Sequence, residues 1–314
     1  MSWIRFIFHT LRNIIPDRIG VVVARYHAWM PFSPCHIILH PSFFCNYKCP
    51  YCSNQFYESR YPKSIELDYG EWLELLGKMP GSLITISGGE PLLYGNLDKL
   101  LLGLSKKHVI SKIMTNISSD VAPLVRTRKI GYRVVASFHP DMTGHKDFGK
   151  KLALLKECGF RIIVNYAATV ANMERYDYYK DYFEKKLKIR FRAWAFEDLK
   201  NEPEINSTRK IYGINYGMRK NVFNNHKLKN CLAGNKYFII LPNADVFRCI
   251  TGYMYTTIPG CQDIACLQDL GRFSLGNLKS ATLRIHNNRF VCRSPCKTVC
   301  DIELAKVTME QKTL

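Results

Sequence analysis

Between residues 36 and 196 the chain switches six times from a short run of Val, Ile and aromatic residues to a segment long enough for a helix. The strand candidates are 37–42, 83–87, 110–115, 132–138, 161–168 and 189–196, each bounded by Gly, Pro or polar residues. Between them, Leu73, Leu76 and Met79 mark one helical stripe, and Tyr176, Tyr179, Phe183 and Leu187 mark another. Repeated strand–helix units are satisfied by a parallel sheet with helices packed outside it. Six units fall short of the eight that close a barrel. The pattern therefore predicts an α/β fold, an open partial (βα)6 TIM-type barrel, with functional residues at the C-terminal ends of the strands. With 314 residues, 47% of them hydrophobic, the chain can bury that core and support a smaller second domain.

The first strand candidate runs into Cys45-Asn46-Tyr47-Lys48-Cys49-Pro50-Tyr51-Cys52. Three thiols at a three-then-two spacing cannot close a four-iron cluster, because each of its irons wants one protein ligand. One iron is left open, and an open coordination site is where a metal centre does chemistry. A zinc knuckle or three buried thiols is the alternative reading of the triplet alone. The second strand candidate ends in Ser87-Gly88-Gly89-Glu90-Pro91. Two glycines there allow a close backbone approach to a ligand, and Pro91 stiffens the exit.

The C-x3-C-x2-C spacing, followed at the end of the next strand by Gly-Gly-Glu-Pro, resembles the radical S-adenosylmethionine (radical SAM) enzymes. The resemblance implies a 4Fe-4S cluster on Cys45, Cys49 and Cys52 whose open iron holds SAM. It implies that Gly88, Gly89 and Glu90 hold the amino group of SAM, and that Tyr51 lies near the adenine. Polar residues ending the third and fourth strands, Asn116 and Ser137, are expected at the ribose and the methionine carboxylate, with Asn165 a further candidate. His139 is read either as a substrate-side acid or base or as structural. A reductant such as flavodoxin or ferredoxin would supply the electron. On the last strand Lys188, Arg190 and Arg192 alternate with Ile189, Phe191 and Ala193. If the basic face looks inward, Arg190 or Arg192 could grip a carboxylate or phosphate.

From Cys231 onward there are seven cysteines. Cys231 and Cys249 flank a predicted hairpin, strands 237–241 and 246–248 joined at Pro242-Asn243-Ala244-Asp245. This is similar to the opening of the SPASM and twitch domains, small cysteine-rich α+β units that carry auxiliary 4Fe-4S clusters in some radical SAM enzymes. Those domains have glycine where this chain has Ala244. The resemblance implies at least one auxiliary cluster, on Cys231, Cys249 and two or more of Cys292, Cys296 and Cys300; a second cluster and a zinc site are the alternatives. Cys261 and Cys266 do not follow the SPASM spacing, and Cys35 and Cys158 read as plain buried thiols. The expected organisation is an N-terminal extension (1–34), the barrel (35–199), a polar connection (200–230) and the auxiliary-cluster domain (231–314).

The formal net charge of +19 favours anionic partners. The charge points to an anionic small molecule of sugar or nucleotide type, and the resemblance, through its auxiliary cluster, implies an oxidoreductase that performs net two-electron oxidation. A maturase of ribosomal peptides is the alternative, weakened because too few residues precede the barrel for an added recognition domain. Charge alone supports RNA, so nucleic acid is disfavoured, and an iron–sulfur electron carrier leaves the glycine–glutamate turn unexplained. Twelve cysteines without a secretory signal, and no uncharged run of membrane-spanning length, predict a cytoplasmic protein. Residues 3–15 read as a basic amphipathic helix that caps the barrel or makes peripheral contact with a membrane.

Overall fold

The computed structural model describes residues 35–52, 54–195, 229–231, 233–234, 237–249, 273–280, 283 and 290–292. Six strands pair in parallel and in chain order: β1 (His36–Leu39), β2 (Leu83–Ile86), β3 (Val109–Thr115), β4 (Arg133–Phe138), β5 (Arg161–Ala168) and β6 (Arg190–Ala195). The connections carry α1 (Asn54–Arg60), α2 (Tyr69–Gly77), α3 (Leu97–Ser105), α4 (Ala122–Arg126), α5 (His145–Glu157) and α6 (Tyr176–Lys180). This is the partial α/β barrel that the alternating pattern predicts.

Strand alternation divides the sheet into two faces. Ile84, Ile86, Val134, Ala136, Phe138, Val164 and Tyr166 belong to one buried cluster with Trp72 and Leu76 of α2, Leu100 and Leu104 of α3, and Leu152 and Leu155 of α5. Trp72 takes the fully buried position expected of Leu73, which is only partly buried against the core, and Met79 lies beyond the helix end but still joins the core. A capping box starts α2: Glu71 N donates to Asp68 Oδ1 at 2.8 Å and Asp68 N donates to Glu71 Oε2 at 3.0 Å, a feature contributing about 1 kcal/mol. The helix after β5 changes character midway, as α6 runs into a π-helical stretch at Asp181–Lys186.

The sheet continues past β1. Strand β8 (Tyr237–Ile240) lies parallel to β1, with His36 opposite Tyr237 and Leu39 opposite Ile240. The antiparallel strands β9 (Asp245–Phe247) and β10 (Ser274–Asn277) follow it. A second cluster forms on the inner face at this end, where Ile38, Phe43, Tyr57 and Tyr61 pack against Tyr237, Ile239, Leu241 and Cys249. Two short strands, β7 (Lys229–Cys231) and β11 (Phe290–Cys292), pair antiparallel as a separate ribbon.

Among the described residues no helix is long and apolar enough to cross a membrane. The amphipathic segment 3–15, the connection 200–228, and Cys261, Cys266, Cys296 and Cys300 lie outside the described residues.

Candidate active site at the barrel mouth

The loop carrying the cysteine triplet is fastened to the glycine turn by main-chain hydrogen bonds. Ser87 N donates to Leu39 O at 3.0 Å, Gly89 N to Ser42 O at 2.9 Å and Glu90 N to Phe44 O at 2.9 Å. A Cβ on Gly89 would run into Phe44 O, and one on Gly88 into Ser42 O. Gly88 also holds φ at 116°, a conformation that L side chains rarely adopt. The close approach that these glycines permit within the protein is to the backbone leading into Cys45.

Glu90 is likewise turned into the protein. It is 1% exposed. Its Oε1 accepts from Leu92 N (2.9 Å) and Thr115 Oγ1 (2.5 Å), and its Oε2 accepts from Asn116 N (2.6 Å). Burial pushes the carboxyl above its usual range, while those three donors pull it back. In this arrangement the acid is a strut between the β2 turn and the end of β3.

Beyond Thr115 the chain makes a strained turn at Ile117, whose φ is 46°, a rare value for a β-branched residue. Lys151 on α5 braces it: its Nζ donates to the carbonyls of Ile117 (2.8 Å), Ser118 (2.7 Å) and Ser119 (3.0 Å). The turn brings Asn116 against the cysteine loop, where its Nδ2 lies 3.8 Å from Cys45 Sγ and 3.4 Å from Asn46 Oδ1. Ser118 Oγ donates to the same Asn46 oxygen at 2.9 Å. Sequence reasoning found Asn116 but missed Thr115, Lys151, Asn46 and Ser118. A strand-end threonine facing a buried acid was the one signal on offer for Thr115.

Burial pushes Cys45 up to about 11, with Tyr47 N–H opposing the rise and Glu90, Cys52 and Cys49 adding to it. Burial also raises Cys49, and Cys52 adds to the rise. Tyr47 N donates to Cys45 Sγ at 3.4 Å, a contact suited to a thiolate. Among the described residues no three His, Cys, Asp or Glu side chains group tightly enough for a single metal ion. A four-iron cluster spreads its ligands over separate irons, so three thiols on one loop, with Tyr47 N 3.4 Å and Asn116 Nδ2 3.8 Å from Cys45 Sγ, fit such a group.

His139, at the end of β4, closes over this loop. Its Nδ1 lies 3.0 Å from Tyr51 Oη and 3.6 Å from Cys49 Sγ, and its ring stacks on Tyr51 at 6.0 Å. Burial lowers its pKa to about 4, with Asp141 opposing, so the imidazole is neutral. Tyr51 therefore sits against both Cys49 and the end of β4.

One step down the inner face, Ser137, Asn165 and Arg192 stand in register across β4, β5 and β6. Phe191 and Ala193 join the helix-side core, so Arg190 and Arg192 lie on the inner face. Arg192 Nε donates to Asn165 Oδ1 at 2.5 Å, and Asn165 is buried. Lys188 departs from the predicted alternation: it precedes β6, with φ at 53°.

Of the C-terminal cysteines, Cys249 is buried beside Ala233 and Tyr237. Cys231 pairs in register with Phe290, and Cys292 with Lys229, so the backbone brings the two cysteine positions within two residues of each other. Cys35 and Cys158 are half-buried and packed against the main core, less enclosed than expected.

Residues 39–123 match the family model for the Radical SAM superfamily. The chain is 32% identical over 146 residues to the PqqA peptide cyclase of Granulibacter bethesdensis, a match covering 41% of this chain and 38% of that protein. The match thus spans well under two thirds of that relative's length. Streptococcus suis SuiB bound to S-adenosylmethionine has a similar fold, with a TM-score of 0.51 and 18% identity over 84% of this chain and 68% of SuiB. So does anSMEcpe with bound AdoMet and Kp18Cys peptide, with a TM-score of 0.52 and 15% identity over 90% of this chain and 86% of that one. A glycine turn, a cysteine triplet and a β3 end interlock at one barrel mouth, and all three lie within residues 39–123, the span that matches the Radical SAM superfamily.

Proposed function

We propose that this protein is a radical SAM enzyme acting on a peptide or protein substrate, with Cys45, Cys49 and Cys52 as ligands of its SAM-binding 4Fe-4S cluster. The observation that carries the peptide reading is the set of relatives. The 32% identical protein is a peptide cyclase. The two similar folds are known as complexes with peptides, SuiB with its precursor peptide SuiA and anSMEcpe with Kp18Cys peptide. These relatives favour the peptide alternative over the anionic metabolite that net charge suggested.

Held by Cys45, Cys49 and Cys52, the cluster would supply the electron for reductive cleavage of SAM to methionine and a hydrogen-abstracting 5′-deoxyadenosyl radical. The protein's own part is positional. Gly88 and Gly89 let the turn dock on the cysteine loop, Glu90 ties that turn to β3, and Asn116, beside Cys45, and Tyr51, beside His139, would border the cofactor. Ser137 continues this polar lining one strand over. In the C-terminal part, Cys231, Cys249 and Cys292, joined by Cys296 or Cys300, would hold an auxiliary 4Fe-4S cluster able to take the surplus electron. The register of β7 and β11 supports that grouping. Net two-electron oxidation of the peptide in the cytoplasm, with flavodoxin or ferredoxin as reductant, completes the reading.

The test is anaerobic incubation of reconstituted, reduced protein with SAM and candidate precursor peptides encoded beside its gene. Formation of 5′-deoxyadenosine together with a peptide lighter by two hydrogens supports the proposal. 5′-Deoxyadenosine without change in any peptide, but with oxidation of a small anionic metabolite, returns the substrate to the charge-based reading. No 5′-deoxyadenosine at all defeats both.

A further inference from the structure

The end of β4 meets the cysteine loop through one imidazole ring. His139 lies parallel to Tyr51, with 6° between the ring planes at 6.0 Å, and edge-on to Tyr47 at 5.9 Å. Its Nδ1 is 3.0 Å from Tyr51 Oη and 3.6 Å from Cys49 Sγ. Of the three thiols, Cys49 is the buried one, 3% exposed, while Cys45 and Cys52 are half-buried. The ring therefore covers the most enclosed sulfur of the triplet and touches both tyrosines of that loop.

The ring is also held from its own side. The carbonyl of His139 accepts from Met142 N at 3.0 Å and from Thr143 N at 3.1 Å, and Pro140 narrows the backbone choices of the residue before it. Asp141 accepts from Arg175 Nη2 at 2.9 Å and from Nδ2 of the buried Asn172 at 3.3 Å, which ties the turn to the segment after β5. A sulfur ligated to iron is a thiolate and can only accept hydrogen bonds. A bond between Cys49 Sγ and Nδ1 then requires the ring proton to sit on Nδ1. Donors to ligand sulfurs stabilise the more negative, reduced state of an iron–sulfur cluster and so raise its potential, whereas keeping water off the same sulfur acts in the opposite sense.

We infer that His139 is a positioning residue for the SAM-binding cluster: seated against Tyr51, it donates its Nδ1–H to the Cys49 sulfur and sets the potential at which that cluster releases its electron. This rests on the proposed ligand role of Cys49 and goes beyond it. The end of β4 thereby acts on electron transfer, and His139 is neither an acid or base for the substrate nor a merely structural ring.

The test is a redox titration of the anaerobic, reconstituted full chain with graded titanium(III) citrate, following the electron paramagnetic resonance signal that SAM alters. His139→Phe keeps a ring over Cys49 and removes the donor. Its one-electron equilibrium should shift about tenfold toward the oxidised cluster, a potential about 59 mV lower. His139→Asn sets an amide N–H near the place of Nδ1 and should recover most of that shift. A His139→Phe protein with full iron and wild-type potential overturns the inference, and so does a His139→Asn protein whose potential falls as far. A second measurement needs no variant to fold: wild type containing histidine labelled with nitrogen-15 should show a weak nitrogen coupling to the reduced cluster in pulsed resonance spectra. Absence of that coupling also overturns the inference. A wild-type triplet that takes up no iron is a different result, which defeats the ligand reading of Cys49 and this inference with it.

Discussion

Glu90 Oε2 accepts the main-chain N–H of Asn116 at 2.6 Å, and this one contact couples the glycine turn after β2 to the polar end of β3. The same carboxylate accepts from Leu92 N and Thr115 Oγ1, so the acid sits at a junction of three donors. Glu90→Gln keeps the shape but turns an amide NH2 toward one of those donors. A buried polar clash of this kind costs about 1–3 kcal/mol. The expected outcome is a lower urea midpoint in the apoprotein and SAM affinity reduced about tenfold or more, read by titrating the spectrum of the reduced cluster. Wild-type stability together with impaired SAM binding would instead mean that the carboxylate contacts SAM directly.

Gly89→Ala tests the docking of the cysteine loop. The added methyl meets the backbone of Phe43 and Phe44, which cannot give way as a flexible side chain would. Iron content after reconstitution should fall well below that of the wild type, and 5′-deoxyadenosine formation should fall with it. Circular dichroism should show the barrel still folded, since Gly89 lies outside every strand and helix.

Acid should weaken the fold through His40. This side chain is buried, its Nδ1 has no hydrogen-bond partner, and burial depresses its pKa to about 3. A histidine held neutral in the folded state contributes its full stability above its unfolded pKa near 6.5. That contribution is lost as pH falls from there toward 3, at a slope approaching 1.4 kcal/mol per pH unit. Denaturant midpoints between pH 7 and pH 4 should therefore drop more steeply for the wild type than for His40→Leu. Parallel curves would show that His40 protonates freely in the folded protein.

The number of clusters can be read from iron counts. The variant Cys45→Ala/Cys49→Ala/Cys52→Ala should keep about four irons if the C-terminal cysteines hold one cluster, and about eight if they hold two. We expect four. Adding Cys231→Ala and Cys292→Ala should bring the count close to zero, because the paired strands β7 and β11 carry both residues. A triplet variant already free of iron would show that the C-terminal part binds none.

The sequence by itself determined the barrel and the cofactor end. Strands β1 to β6 lie where the Val, Ile and aromatic runs predict them, with ends shifted by a residue or a few, because strand period and helix stripe are local properties of the chain. The cysteine triplet and the glycine turn were legible for the same reason, as each motif is contiguous. Ala244 was legible as a departure from the glycine of the SPASM and twitch pattern that the sequence resembles, and it does adopt the left-handed conformation, φ 71°. What only the tertiary structure decided are the contacts between strands distant in sequence. Register alone places Asn165 beside Arg192 and Ser137, and the crossover between strands alone brings His139 onto Tyr51. The direction of the Glu90 carboxylate, the bracing of Ile117 by Lys151 and the pairing of β8 with β1 belong to the same class. No local pattern encodes them, because a side chain's partner across a sheet depends on how whole strands align, and that alignment is set by packing of the shared core.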